Sequence, residues 1–251
     1  MSNDFRQSAH LSGRAAEMAQ IDQGLRSYML KVYNYMAIAL GVTGLLAYVT
    51  YSMAFGVVDG KVIGYTQLGA TLFASPLKWV IMFAPFAMVM FLSFRIQKMS
   101  AGTAQMVFWA YAALMGVSLA SIFAVFTAQS ITQVFFITAA AFAGLSLYGY
   151  TTTKSLSGWG SFLMMGLIGI VIASIVNIFL GSNALQFAIS VIGVLVFAGL
   201  TAYDTQQIKE MYFEGDSADT MGKKAIMGAL RLYLDFINLF IMLLQLFGNR
   251  E

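Results

Sequence analysis

The sequence predicts an all-α integral membrane protein, a seven-transmembrane-helix bundle, and three observations carry the prediction. Of its 251 residues, 59% are hydrophobic and only 10% are charged, against about 25% charged in an average soluble domain. Residues 99–153 and 155–203 contain no charge at all; each stretch is about 50 residues long, room for two spans of about 20. Asp204 and Asp235 nonetheless stand inside strongly apolar segments, where an ionised side chain costs at least roughly 2.5–3.5 kcal/mol on insertion scales. Two such carboxylates call for a partner, a water-filled cavity or a function.

Residues 1–27 mix Asp4, Arg6, Arg14, Glu17, Asp22 and Arg26 with serine and glutamine. They read as a polar cytosolic tail ahead of a transmembrane domain, 28–251, and lack the basic, apolar and small-residue succession of a cleavable signal peptide. Span one covers 28–54, with Lys31 at its entrance and with Gly41 and Gly44 predicting close helix contact. A polar connection, 55–75, holds Asp59 and Lys61. Span two covers 76–94: Pro76 suits a helix start, Pro85 predicts a kink and a freed backbone carbonyl, and Arg95 and Lys98 follow its end. Spans three and four fill 103–126 and 131–151, and Lys154 marks the next turn. Spans five and six cover 159–180 and 184–209, and a charged loop, 210–224, with Glu214, Asp216 and Asp219, leads into span seven, 225–247. The charge-free part of that last span starts at Phe236 and is about 14 residues long, too short for a hydrocarbon core of about 30 Å. Span seven must therefore carry Arg231 and Asp235 into the membrane region.

Basic residues near the span ends set the orientation. With the amino terminus inside, the inner side collects Arg6, Arg14, Arg26, Lys31, Arg95, Lys98, Lys154, Lys209, Lys223 and Lys224, and the outer side only Lys61, Lys78 and Arg250. This asymmetry predicts the amino terminus in the cytosol and the carboxyl terminus outside. The net charge of +3 is small and spread over loops, which points to topology and away from nucleic-acid binding.

Absent residue types narrow the chemistry. There are no cysteines, so disulfides and thiolate catalysis are excluded, and the one histidine, His10, lies in the tail. An intramembrane hydrolase that depends on histidine is excluded as well. Span seven has no lysine to form a Schiff base, which removes a retinal-binding receptor. The expectation is a protein that is not an enzyme and needs no cofactor.

On span seven, Arg231, Asp235, Asn238, Met242 and Gln245 recur at steps of four and three, a polar stripe along one helix face. Span six has a weaker stripe in Gln186, Ser190, Gly193, Phe197, Thr201, Asp204 and Gln207. A helix with such a stripe belongs inside a bundle, and the two aspartates can meet across the contact between these spans. Two carboxylates within hydrogen-bond reach share a proton and titrate as a pair. Deprotonated, they offer hard oxygen ligands suited to calcium, with Asn238 nearby. Blander readings stand beside this one: an ion pair of Arg231 with Asp235 one turn apart, an Asp204 that reaches interfacial water near Lys209, and Arg95 and Lys98 as topology anchors.

Three stretches resemble the Bax inhibitor-1 family, also called the transmembrane Bax-inhibitor-motif family. They are Tyr203-Asp204 followed by Gln207-Ile208-Lys209, the run from Leu232-Tyr233-Leu234-Asp235 to Asn238-Leu239-Phe240, and Ala141-Phe142-Ala143-Gly144-Leu145-Ser146. The similarity covers about 28–248. It implies a seven-helix bundle with a central seventh helix and a pH-sensitive calcium leak, in which the family's paired aspartates correspond to Asp204 and Asp235. It also implies a basic latch on span two, Arg95 or Lys98. The cysteine-free chain and short tail resemble bacterial members, implying a bacterial inner (plasma) membrane. Two functions follow as expectations: a leak of calcium gated by protons, or a non-conducting regulatory protein that interacts with a membrane quality-control protease or with cell-survival machinery. A proton-coupled calcium exchanger would use the same residues as the leak.

Overall fold

The structure is a computed structural model that describes residues 2–58 and 61–250; the side chains of 2–21, His10 included, and of Lys61 lie outside the description, as does Asp59. Its first helix, α1 (Ser2–Ala54), is followed by an antiparallel hairpin of β1 (Phe55–Val58) and β2 (Lys61–Tyr65) and by helical turns over Gln67–Gly69 and Ala70–Ala74. Then come α2 (Leu77–Arg95), α3 (Ala101–Leu119), a short helix Ile122–Val125, α4 (Ala128–Thr151), α5 (Ser157–Leu180), α6 (Asn183–Glu210) and α7 (Ala218–Phe247). Seven helices among the described residues are long and apolar enough to cross a membrane, α1 by its part Asp22–Ala54. The all-α seven-helix fold class is the one the sequence predicts.

Local chemistry sets most helix starts. Ser100, Thr127, Ser182 and Ser217 each stand just before a helix and accept a hydrogen bond from a backbone N–H three residues on, at 3.2–3.3 Å, and so satisfy an amide that the helix leaves open. Pro76 occupies the cap of α2, and Pro85 lies within that helix, where it has no N–H for the carbonyl of Ile81.

The structure departs from the sequence reading, or adds to it, at three places. The helix of span one starts ahead of Tyr28: α1 runs unbroken from Ser2 through Gly24 and Ser27. The connection 55–75 is ordered by a hairpin and by the rings of Phe55, Tyr65 and Phe73, 5.3–6.5 Å apart. Gly41 and Gly44 face open space; α1 makes its close approach at Gly116 of α3, where an added Cβ would stand 2.6 Å from the carbonyl oxygen of Thr43.

α7 is the axis of the bundle. Within its most apolar stretch 67% of residues are buried, against 17–39% in the other six helices, and it packs on α6, α1, α4 and α3. α2 lies outside, mainly on α3, and α5 outside on α6. α4 and α6 touch backbone to backbone, since a Cβ on Gly149 would collide with the carbonyl oxygen of Ala202.

Both ends of α7 are tied down. At its start Lys224 pairs with Asp216 and donates to the carbonyl of Met211 at 2.9 Å, while Asp219 accepts from the backbone N–H of Ala101 at 2.7 Å. Past its far end, the N–H of Asn249 donates to Ser130 Oγ at 2.9 Å and the carbonyl of Asn249 accepts from Thr127 at 3.0 Å.

Candidate functional site

Asp204 lies in the last two turns of α6 and Asp235 near the middle of α7. Their side chains come within hydrogen-bond reach of each other across the contact of the two helices. Asp235 is only 4% exposed and Asp204 is half-buried. Part of the α7 stripe forms the seam with α6: Asp235 meets Asp204 and, below the aspartates, Met242 lies against Gly193, where a Cβ would come within 2.8 Å of the methionine side chain. The missing side chain at Gly193 lets the two helices close along this line.

The buried Oδ2 of Asp235 has no hydrogen-bond donor among the described residues. An ionised carboxylate only accepts, so two of them face to face supply no donor. A hydrogen bond between them exists only when one carries a proton. Arg231 is close enough to act electrostatically on both carboxyls, yet it is exposed and enters neither ion pair found among the described residues. The ion pair of Arg231 with Asp235 that their spacing permits is thus not formed. Lys209 is not on Asp204 either: its Nζ donates to the carbonyl of Tyr150 at 2.8 Å and lies 5.3 Å above that ring.

Other residues singled out in the sequence point elsewhere. Asn238 donates to the carbonyl of Leu234 on its own helix at 2.8 Å, and Gln207 donates to Glu210 at 3.2 Å. Arg95 and Lys98 are exposed at the end of α2, outside both ion pairs, and the structure does not bring them to the aspartates. Among the described residues no three or more His, Asp or Glu side chains cluster. Calcium takes six to eight oxygens, more than these two carboxylates supply.

Sequence reasoning overlooked the neighbouring residues of α6. Gln206 is buried; its Nε2 donates to the carbonyl of Lys154 at 3.0 Å and its Oε1 accepts from the N–H of Leu156 at 2.7 Å, which fixes the α4–α5 link against α6. Thr205 begins a hydroxyl chain across three helices. It donates to the carbonyl of Thr201 at 2.7 Å, so Ser146 must donate to Thr205 at 2.9 Å and Tyr33 to Ser146 at 2.6 Å. The usable signal was Ser146 in an otherwise apolar run of α4.

The sequence is similar to those of known proteins. The model of the family described as "Inhibitor of apoptosis-promoting Bax1" matches residues 25–251. The chain is 47% identical to the "Inner membrane protein YbhL" of Escherichia coli K12, over 95% of this chain and 98% of that protein. It is 46% identical to an uncharacterized protein of Caulobacter vibrioides, over 99% and 100% of the two chains, and 45% identical to the uncharacterized protein RP147 of Rickettsia prowazekii, over 92% of each.

Proposed function

The chain belongs to the Bax inhibitor-1 family of membrane proteins, and from that premise we propose that it is a calcium leak channel gated by the proton that Asp204 and Asp235 share. The observation that carries this reading is the meeting of the two carboxyls at the α6–α7 seam, with Oδ2 of Asp235 left without a donor. With a proton between them, the pair ties α6 to α7. When the proton leaves, two anions face each other at close range, the seam loosens, and the same oxygens become ligands for a passing cation. Calcium flux therefore rises with pH. Arg231 is the cation that biases the pair. The protein acts as a channel and not as an enzyme, with no cofactor; calcium and protons are what it handles. By likeness to the E. coli protein, its membrane is a bacterial inner membrane, and by the distribution of basic residues its amino terminus is cytosolic.

Calcium flux into liposomes holding the purified protein, from about pH 6 to pH 8, tests this. The wild type conducts more as pH rises; Asp204→Asn and Asp235→Asn conduct at a level independent of pH. A pH response that survives in both variants overturns the gating. Wild-type protein that passes no calcium at any pH overturns the channel and leaves a non-conducting regulator of a membrane partner.

A further inference from the structure

α1 packs on α3 and α7, and α4 on α6 and α7, which leaves a lateral opening between α1 and α4. A groove of about 490 Å³ lies there, within the range of ligand sites. Its walls are apolar, among them Met29 and Leu30 of α1 and Phe142, Ala143 and Leu147 of α4. The hydroxyls on its inner wall offer no free donor: that of Tyr33 is given to Ser146, and that of Ser146 to Thr205. An occupant is therefore held there by its hydrocarbon.

The mouth is different. Arg26 lines the groove where the membrane part of α1 begins, is exposed, and has no ion-pair partner among the described residues. Tyr150, at the matching end of α4, also lines it, an aromatic residue at the depth of the membrane–water boundary. A second recess of about 550 Å³ adjoins the first through Arg26 and Leu30 along α1; its lining carries Gln23, Ser27, Lys31 and Asn34 beside Tyr35 and Ile38. An apolar groove and a recess that carries a second cation, Lys31, thus join at Arg26. That arrangement fits an amphiphile with a negative head group, since a guanidinium pairs with phosphate oxygens in a two-point geometry that a choline head group would counter with its own positive charge.

We propose that one anionic phospholipid, from the leaflet at the amino-terminal end of α1, binds between α1 and α4 with its phosphate on Arg26 and an acyl chain in the groove. The site is distinct from the aspartate pair and does not rest on the channel reading. Its neighbour on the inner side is the hydroxyl chain ending at Thr205, so an occupied groove braces the wall that α4 and α6 form behind it.

Native mass spectrometry of the full-length protein, released from detergent with equal amounts of phosphatidylglycerol and phosphatidylcholine of identical chains, reads this directly. The wild type keeps phosphatidylglycerol in preference, by roughly fivefold for one interfacial cation. Arg26→Gln brings the two lipids to parity, whereas Lys98→Gln, at the end of α2, keeps the preference. Leu147→Trp, which fills the groove, lowers retention of phosphatidylglycerol. Equal retention of both lipids by the wild type overturns the site, as does an Arg26→Gln protein with an unchanged preference.

Discussion

Tyr233 and Asp235 stand on the same stretch of α7 and face different neighbours. Tyr233 turns toward α1 and α3: Thr43 donates to the carbonyl of Ala112 at 2.9 Å, so the tyrosine hydroxyl donates to Thr43 at 2.7 Å, while its ring meets Tyr111 and Phe108 edge-on at 5.4 and 6.1 Å. Each group in that chain brings its own proton. Asp235 turns toward α6 and meets another carboxyl, and their bond depends on a proton taken from solvent. At similar depth on one helix, the first contact holds the bundle at any ordinary pH, and the proposed gating assigns the pH response to the second.

The sharpest way to break this comparison is to follow stability against pH. The packed seam binds a proton that the separated helices do not need, so raising the pH removes stabilisation from the packed state. In detergent, the unfolding temperature of the wild type falls as the pH is raised, and Asp235→Asn, whose amide donates to Asp204 without a borrowed proton, gives a nearly flat profile. A flat wild-type profile would erase the distinction.

The hydroxyl contact yields the next effect. Thr43→Val leaves the hydroxyl of Tyr233 without its acceptor, takes from the carbonyl of Ala112 its bond beyond the helix, and costs about 1–3 kcal/mol, whereas Tyr233→Phe removes one neutral donor and costs about 1 kcal/mol. Denaturation of both variants at two pH values should return equal losses at each; a loss that changes with pH would give this contact the behaviour reserved for the other. The smallest effect concerns the cation. Arg231→Gln moves the pH midpoint of calcium flux by less than about one unit, as suits an exposed charge, and Arg95→Gln leaves it in place. A midpoint that follows Arg95 instead would transfer the bias to α2.

The spans and the two aspartates were legible because hydrocarbon penalises charge: a carboxylate among leucines and phenylalanines stands out whatever its neighbours. The axial position of α7 was legible too, since a helix with Arg231, Asp235, Asn238 and Gln245 along one face cannot turn that face to lipid. Hydroxyls leave no such mark. Tyr33, Ser146 and Thr205 are tolerated in a span with or without a partner, and their alignment depends on the rotation of α1, α4 and α6, which contacts such as Gly149 on Ala202 determine. The break between Leu119 and Ile122 was hidden for a similar reason, because hydropathy runs through it undisturbed. The glycines of α1 were misread because close approach needs a partner surface, and Gly41 and Gly44 have none within 4 Å.

The two ends of α7 have a mechanical consequence. Lys224 and Asp219 moor one end to the preceding loop and to α3, and Asn249 stitches the other to the start of α4. A rod clamped at both ends does not slide along its own length. Under the proposed gating, repulsion at Asp235 would be discharged sideways into the helices that surround it, with α7 as the stator and its neighbours as the moving parts.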